Sequence, residues 1–297
     1  VADLSFMRDY ALPARMQQVW RREVQLQTFS GRSKEWERIA SGDLFGVQNG
    51  RKALTGRLAG LHDPKIMQKK MDDEKALRAK VEANPDFKGQ WGDAWDQIAK
   101  AQEVYKQFYL RQQADPRSDL FGAARTLVRL ADEKTKPNEE RLREYNEAAL
   151  DSLYLQLYSP APIYDDLEID RLASSLSAMA ERLDFDDPYV QKALGGLSPR
   201  GRAQSLVAGT KLKDIEYRKQ LAEGGTAGIA ASKDPMIRLA AELDPEARAL
   251  RKRFEDEIEA AQRVGYAKIA AARFAILGED VYPDATFTLR LAFGPVQ

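Results

Sequence analysis

Between Asp244-Pro245 and Gly278 the apolar and small residues Leu250, Phe254, Ile258, Ala261, Gly265, Ile269, Ala272 and Ile276 recur at spacings of 4, 4, 3, 4, 4, 3 and 4. That period lines one face of an α-helix, and from Pro245 onward it predicts a rod of roughly 50 Å at 1.5 Å per residue. So long an apolar stripe needs a helix of similar length to cover it. The start of the chain offers one: Leu4, Met7, Leu12, Met16, Val19, Trp20, Val24 and Leu26 form a broad apolar face, interrupted by Pro13 and closed by Ser30-Gly31. Small residues in the C-terminal stripe imply close approach, so the two rods are expected side by side and antiparallel. That arrangement brings the chain ends together.

The intervening sequence reads as helix almost throughout. A second stretch, from about Lys34 to Leu61, carries Ile39, Leu44, Val47, Leu54, Leu58 and Leu61, yet contains Gly42, Gly46, Gly50, Gly56 and Gly60. Each glycine in a helix interior costs about 0.8 to 1 kcal/mol against Ala, so close packing or function is expected to offset them. Asp-Pro at 63-64, 187-188, 234-235 and 244-245, with Ser198-Pro199 as a variant, marks helix starts, because the acidic or hydroxyl side chain caps free N–H groups and Pro at N1 has none to leave open. Further helices are predicted over 64–83, 90–113, 118–133, 138–158 and 165–183, followed by shorter ones through Glu223. After Gly278 the pattern switches to Thr286-Phe287-Thr288-Leu289-Arg290-Leu291, which alternates as a strand does.

The fold class is therefore all-α, a multi-helix domain with long antiparallel helices followed by one orphan C-terminal β-strand. Residues 1–278 form the helical domain, and residues 279–297 are a linker and strand. One strand has no partner in this chain, and the chain opens on Val1 inside a helix, so it reads as a segment of a longer protein.

Composition narrows the chemistry. Lys plus Arg number 46 and Asp plus Glu 46, so no basic excess points to nucleic acid. There is no Cys and a single His, which excludes thiol nucleophiles and Cys-ligated metals and leaves little for a His-based metal site. No run approaches the 18 apolar residues of a membrane span. His62, ahead of the Asp63-Pro64 cap, is the one imidazole available as a base, but no strained Gly-x-Ser-x-Gly elbow accompanies it, and an exposed loop residue is the simpler reading. Asp165, Asp166, Glu168 and Asp170 lack EF-hand spacing and read as acids favoured by a helix N-terminus. Gly195-Gly196 and Gly224-Gly225 read as loops. Trp91, Trp95, Ile98, Tyr105 and Tyr109 form a stripe that packing or a ligand groove would explain, and Arg21-Arg22 and Lys69-Lys70 read as solvated faces. Asn49, among the glycines of the second helix, is either a surface amide or a group placed for binding.

Four stretches together resemble one family: Phe29-Ser30-Gly31-Arg32 leading into Leu44-Phe45-Gly46-Val47-Gln48-Asn49-Gly50-Arg51-Lys52-Ala53-Leu54-Thr55-Gly56; Ser232-Lys233-Asp234-Pro235-Met236; Asp244-Pro245-Glu246-Ala247-Arg248; and Tyr282 through Leu291. They resemble the S46 family of bacterial serine dipeptidyl-peptidases, the dipeptidyl-peptidase 7 and 11 type. The resemblance implies that the chain is the helical domain inserted between the halves of a chymotrypsin-like double β-barrel. It further implies that the Ser-His-Asp triad lies outside the chain, that no catalytic residue is present here, and that His62 is not the family histidine. In the family this domain roofs the active-site cleft and limits substrates to an N-terminal dipeptide, and an Asn on its Gly-rich helix holds the substrate's free amine. By position that residue is Asn49; family members often carry Trp two residues earlier, where this chain has Val47. The resemblance also implies peptide substrates with a free N-terminus, no metal or organic cofactor, a periplasmic or secreted location, contact with the missing barrel domain and a parent that can be a homodimer. A non-catalytic helical scaffold or partner-binding module is the alternative, one that would have no use for the orphan strand.

Overall fold

The computed structural model describes residues 1–278, and every regular element among them is helical. The strand-like run from Tyr282, and segment 279–297 as a whole, lie outside the described residues. Helices α1 (Ala2–Phe6) and α2 (Leu12–Ser30) run as one through a π-helical turn at Met7–Ala11. Pro13 has no N–H and its ring presses on the carbonyl one turn earlier, and the wider turn just upstream absorbs that misfit. Helix α3 (Lys34–His62) then folds back, with Ser33 Oγ accepting from the Trp36 N–H at 3.3 Å to cap it. Pairs at Arg22–Asp43 and Glu23–Arg51 and an Arg57–Met7 contact register the two helices as an antiparallel hairpin. Leu26, Phe29 and Ala40 close it from inside.

Helix α4 (Pro64–Glu82) starts at its Asp63-Pro64 cap, and α5 (Pro85–Trp91) follows on Asn84. The single helix predicted over 90–113 is broken into the end of α5, α6 (Ala94–Lys106) and α7 (Tyr109–Gln112). The second break puts Phe108 at φ −130°, ψ 5°, where its ring is buried, so tertiary burial overrides the local pattern. Helix α8 (Asp119–Glu133) matches its prediction, but residues 138–158 begin with 3₁₀ turns at Asn138–Glu140 and Arg143–Tyr145 before α9 (Glu147–Leu157). The remainder is α10 (Asp165–Leu183), α11 (Pro188–Leu194), α12 (Pro199–Gly209), α13 (Ile215–Ala231), α14 (Pro235–Arg253), a π-helical turn at Phe254–Glu259, and α15 (Ala260–Leu277). Positive φ values at Gly195, Gly196 and Gly225 mark a left-handed cap, the turn after it and a kink inside α13.

Two further expectations change. Asp244-Pro245 does not start a helix, because α14 passes straight through it and the rod runs from Pro235 to Leu277, roughly 65 Å at 1.5 Å per residue. The Asp244 carboxylate, instead of capping, is buried between Arg129 Nε at 2.5 Å and Arg248 Nε at 2.6 Å. The carbonyl that Pro245 leaves unpaired belongs to Ala241, which is exposed and can turn to water. Nor do the first and last rods lie mainly on one another. The chief partner of α2 is α3, whereas α15 and α1 both seat on α6. The small stripe residue Gly265 meets Ile98 of α6, and Phe6 stacks on Tyr105 with ring centres 5.1 Å apart. Val1 and the end of α15 nevertheless both reach α4, the Val1 amine pairing with Glu74 and Ile276 joining the cluster around Val81.

The largest core is built by α8 and α10 through α14, around Phe121, Leu127, Leu172, Leu176, Leu206 and Met236. Smaller clusters hold the α2–α3 hairpin to the start of α10, and α15 to α4, α5 and α6.

Candidate functional site

A cleft of about 810 Å³ lies where α2, α3, the segment leading into α8 and α10 converge. Its placement follows from the hairpin. Along the cleft side of α2, residues 15, 18, 22 and 25 repeat at helical spacing. Residues 171, 175, 178 and 182 do the same on α10. Gly42 and Gly46 form the α3 edge.

The lining carries seven arginines, Arg15, Arg21, Arg22, Arg117, Arg125, Arg171 and Arg182, against Asp43, Asp115 and Asp119. Four of the seven have carboxylate partners. Arg22 donates to Asp43 at 2.9 Å, Arg171 to Asp43 and Asp119, Arg125 to Asp115 at 2.8 Å, and Arg21 to Glu181. The N-terminus of α8 also opens toward this region, but the buried Glu168 already accepts from the N–H groups of Asp119 and Leu120 at 3.1 and 2.8 Å. Burial, and secondarily the neighbouring Arg171, lowers the pKa of Arg22 despite Asp43.

Asn49 is exposed and makes no hydrogen bond among the described residues. It does not line the cleft, but it belongs to the same helix edge. With 100° per residue, Gly42, Gly46, Asn49, Ala53, Gly56 and Gly60 fall within a narrow stripe of α3. A Cβ added at any of the glycines would meet nothing within 4 Å, so close packing among the described residues does not account for them. Asn49 is the one polar side chain among these six residues.

The other candidates resolve into structure. His62 is exposed at the last turn of α3, within helix rather than loop. The acids at the start of α10 disperse: Asp165 pairs with Lys213, Glu168 caps α8, and Asp170 lies between Arg32 and Arg200. No group of three or more potential metal-ligating side chains occurs among the described residues. Trp95 and Ile98 are buried on α6 and Tyr105 and Tyr109 pack on Phe6, so that stripe is core. Arg21 and Arg22 are a correction, since both line the cleft and are half-buried; Lys69 and Lys70 are exposed as expected. Arg15, Arg117, Arg125, Arg171 and Arg182 were not singled out by the sequence. Their only linear trace is the arginine-bearing polar stripes on α2 and α10.

An all-α domain with long antiparallel helices and an arginine-lined cleft is thus the class defined by fold and geometry. The Peptidase S46 family profile matches residues 1–297, and the chain belongs to that family. It is 26% identical over 313 residues to the Asp/Glu-specific dipeptidyl-peptidase of Shewanella putrefaciens (strain CN-32 / ATCC BAA-453), covering 99% of this chain and 41% of that protein. The crystal structure of Porphyromonas endodontalis DPP11 superposes with a TM-score of 0.59 at 17% identity, over 94% of this chain and 40% of that one. The chain therefore spans about two fifths of the length of these relatives. No helix among the described residues is long and apolar enough to cross a membrane.

Proposed function

We propose that this chain is the helical substrate-gating domain of a serine-type dipeptidyl aminopeptidase, which removes dipeptides from the N-termini of peptides. Membership of the Peptidase S46 family along residues 1–297 is the observation that carries this reading. The printed activity of the Shewanella relative, a dipeptidyl-peptidase, supports the reaction class. Acyl transfer by Ser, His and Asp is assigned to barrels outside this chain, in a periplasmic or secreted parent that can dimerise.

The role of the chain is geometric. Asn49 Oδ1 accepts a hydrogen bond from the ammonium group of the peptide, at a fixed distance from the scissile bond. An amide holds the amine without adding a charge that would retain the product. The bare stripe on either side of Asn49 supports this role, because a peptide backbone can approach a helix most closely where no side chain intervenes.

The test is Asn49→Ala in the intact enzyme. Losing one hydrogen bond to a charged group is worth about 1.5 to 3 kcal/mol, or roughly ten- to a hundred-fold in kcat/KM on free-amine substrates, with little change on N-acylated ones. Unchanged kinetics, or equal losses on both substrate types, would remove the amine-anchor role. The 297-residue chain alone should release no chromophore from dipeptidyl substrates, and turnover that disappears in His62→Ala would refute the assignment.

A further inference from the structure

Arg218, in the first turn of α13, is the only cationic side chain among the described residues that is more than nine-tenths buried. The buried carboxylates of Glu23, Glu133, Glu168, Asp170 and Asp244 each meet an arginine, whereas no carboxylate among the described residues forms an ion pair with Arg218. Its Nη1 donates to the Leu157 carbonyl at the end of α9, and its Nη2 reaches the Ser159 carbonyl only at 3.5 Å. Its Nε–H has no partner. Asp214, one turn earlier, attracts the guanidinium without pairing with it, and its carboxylate caps α13 through the Glu216 N–H at 2.9 Å. The end of α9 returns about half a charge. Burial lowers the pKa of Arg218, but a guanidinium keeps its proton in a protein, so positive charge is left over in a place poor in water.

That place is the wall of a pocket of about 630 Å³ between α8, α9 and the segment after α9. Small residues keep it open: Gly122 and Ala123 on α8 and Ala149 on α9 put no bulk between the helices, and a Cβ added at Gly122 would meet nothing within 4 Å. Helix α9 buries only Leu157, so it is a loosely seated wall. Leu153 and Ile163 make the interior apolar. Tyr145, also more than nine-tenths buried, lines the same pocket; its hydroxyl makes no hydrogen bond among the described residues, and burial holds its pKa up at about 12, so it remains a donor at neutral pH. The pocket adjoins the arginine-lined cleft at Ser118, Asp119 and Gly122 but includes none of its arginines.

One buried cation short of an anion, set in an apolar pocket, calls for a ligand with a singly charged oxyanion head and an apolar body. A carboxylate fits the planar guanidinium, whereas a phosphate would bring a second charge with no partner. We infer that this pocket binds a medium-chain monocarboxylate, with its head at Arg218 and its hydrocarbon tail along Leu153 and Ile163. The volume lies within the range of small-molecule sites. The inference does not rest on the proposed function.

The experiment is calorimetric titration of the 297-residue chain with hexanoate, with hexanamide and with inorganic phosphate. Hexanoate should bind, hexanamide should bind at least tenfold more weakly, and phosphate should not compete. Arg218→Gln should weaken hexanoate by tenfold or more. Because that change also removes the contacts to α9, Ala149→Leu is the second variant: it fills the pocket, leaves Arg218 and its carbonyl partners in place, and should cause a similar loss. Arg200→Gln, which alters an exposed arginine paired with Asp170 outside this pocket, should change nothing. Thermal melting gives a second readout, since hexanoate should raise the melting temperature of the parent and not that of Ala149→Leu. Hexanamide bound as tightly as hexanoate, or phosphate displacing it, would overturn the monocarboxylate assignment. Absence of hexanoate binding, or binding that survives Ala149→Leu, would overturn the site.

Discussion

Glu133 illustrates how much of the molecule's polar chemistry is structural. Its carboxylate is fully buried, which alone would raise its pKa. Three donors reverse that: Lys136 Nζ at 2.7 Å, Arg248 Nη1 at 2.5 Å and the Leu142 N–H at 2.7 Å, which together hold the pKa at about 2. The folded value lies below the unfolded one, so the contribution to stability is complete above the ordinary value of 4.5 and is lost as pH falls toward 2. A shift of this size corresponds to roughly 3 kcal/mol. Glu133→Gln should therefore lower stability to urea at neutral pH by a few kcal/mol, and should remove the share that Glu133 contributes to the loss of stability between pH 5 and pH 3. A variant as stable as the parent at pH 7 would show that the buried carboxylate does not hold the loop after α8 to α14.

At the scale of elements, two glycines in long helices should respond with opposite sign to the same change. Gly265 of α15 faces α6, and a Cβ there would fall 2.6 Å from Ile98 Cγ1 and 3.0 Å from the Ala94 carbonyl oxygen. Gly265→Ala is expected to destabilise by roughly 1 to 3 kcal/mol, since overpacking outweighs the gain in helix propensity. Gly56 of α3 has open space at the same position, so Gly56→Ala should stabilise the chain by about 0.8 to 1 kcal/mol in chemical denaturation. If Gly56→Ala destabilises, something in the chain occupies that face. The spacing from Leu250 to Ile276 already reveals the rod and its small residues, because helical periodicity is local. It does not reveal which helix meets Gly265, since α1, α3 and α6 all offer apolar faces and the choice is made by the tertiary fold. Phe108 is a similar case, where one buried ring ends a helix that the linear pattern would continue. The cleft was less legible still. Its arginines come from four separated stretches, and a chain with 46 charges of each sign gives no hint that seven of one sign line one concave surface.

Over the whole molecule, burial is uneven in a way that bears on the proposed gating role. The cluster built by α8 and α10 through α14 holds most of the fully buried side chains, whereas between Leu54 and Val81 only Met67 is buried. The second half of α3 and most of α4 therefore form a long corner with little apolar anchorage, stabilised by its Asp63 cap and by exposed pairs such as Lys69–Asp73 at 3.4 Å. Exposed pairs of this kind contribute little, and salt weakens them further. Opening of this corner breaks few contacts, so it should require much less free energy than unfolding of the main core. In native-state hydrogen exchange, amides of residues 56–80 are expected to lose protection first among the long helices, at rates that rise with added salt. Those of α8, α10 and the first half of α14 should exchange only through global unfolding, with a dependence on denaturant that matches the equilibrium transition. Equal protection in residues 56–80 and in α8 would mean that the α3–α4 corner unfolds with the core. It would then be a fixed wall, and any gating would have to come from motion of the domain as a unit.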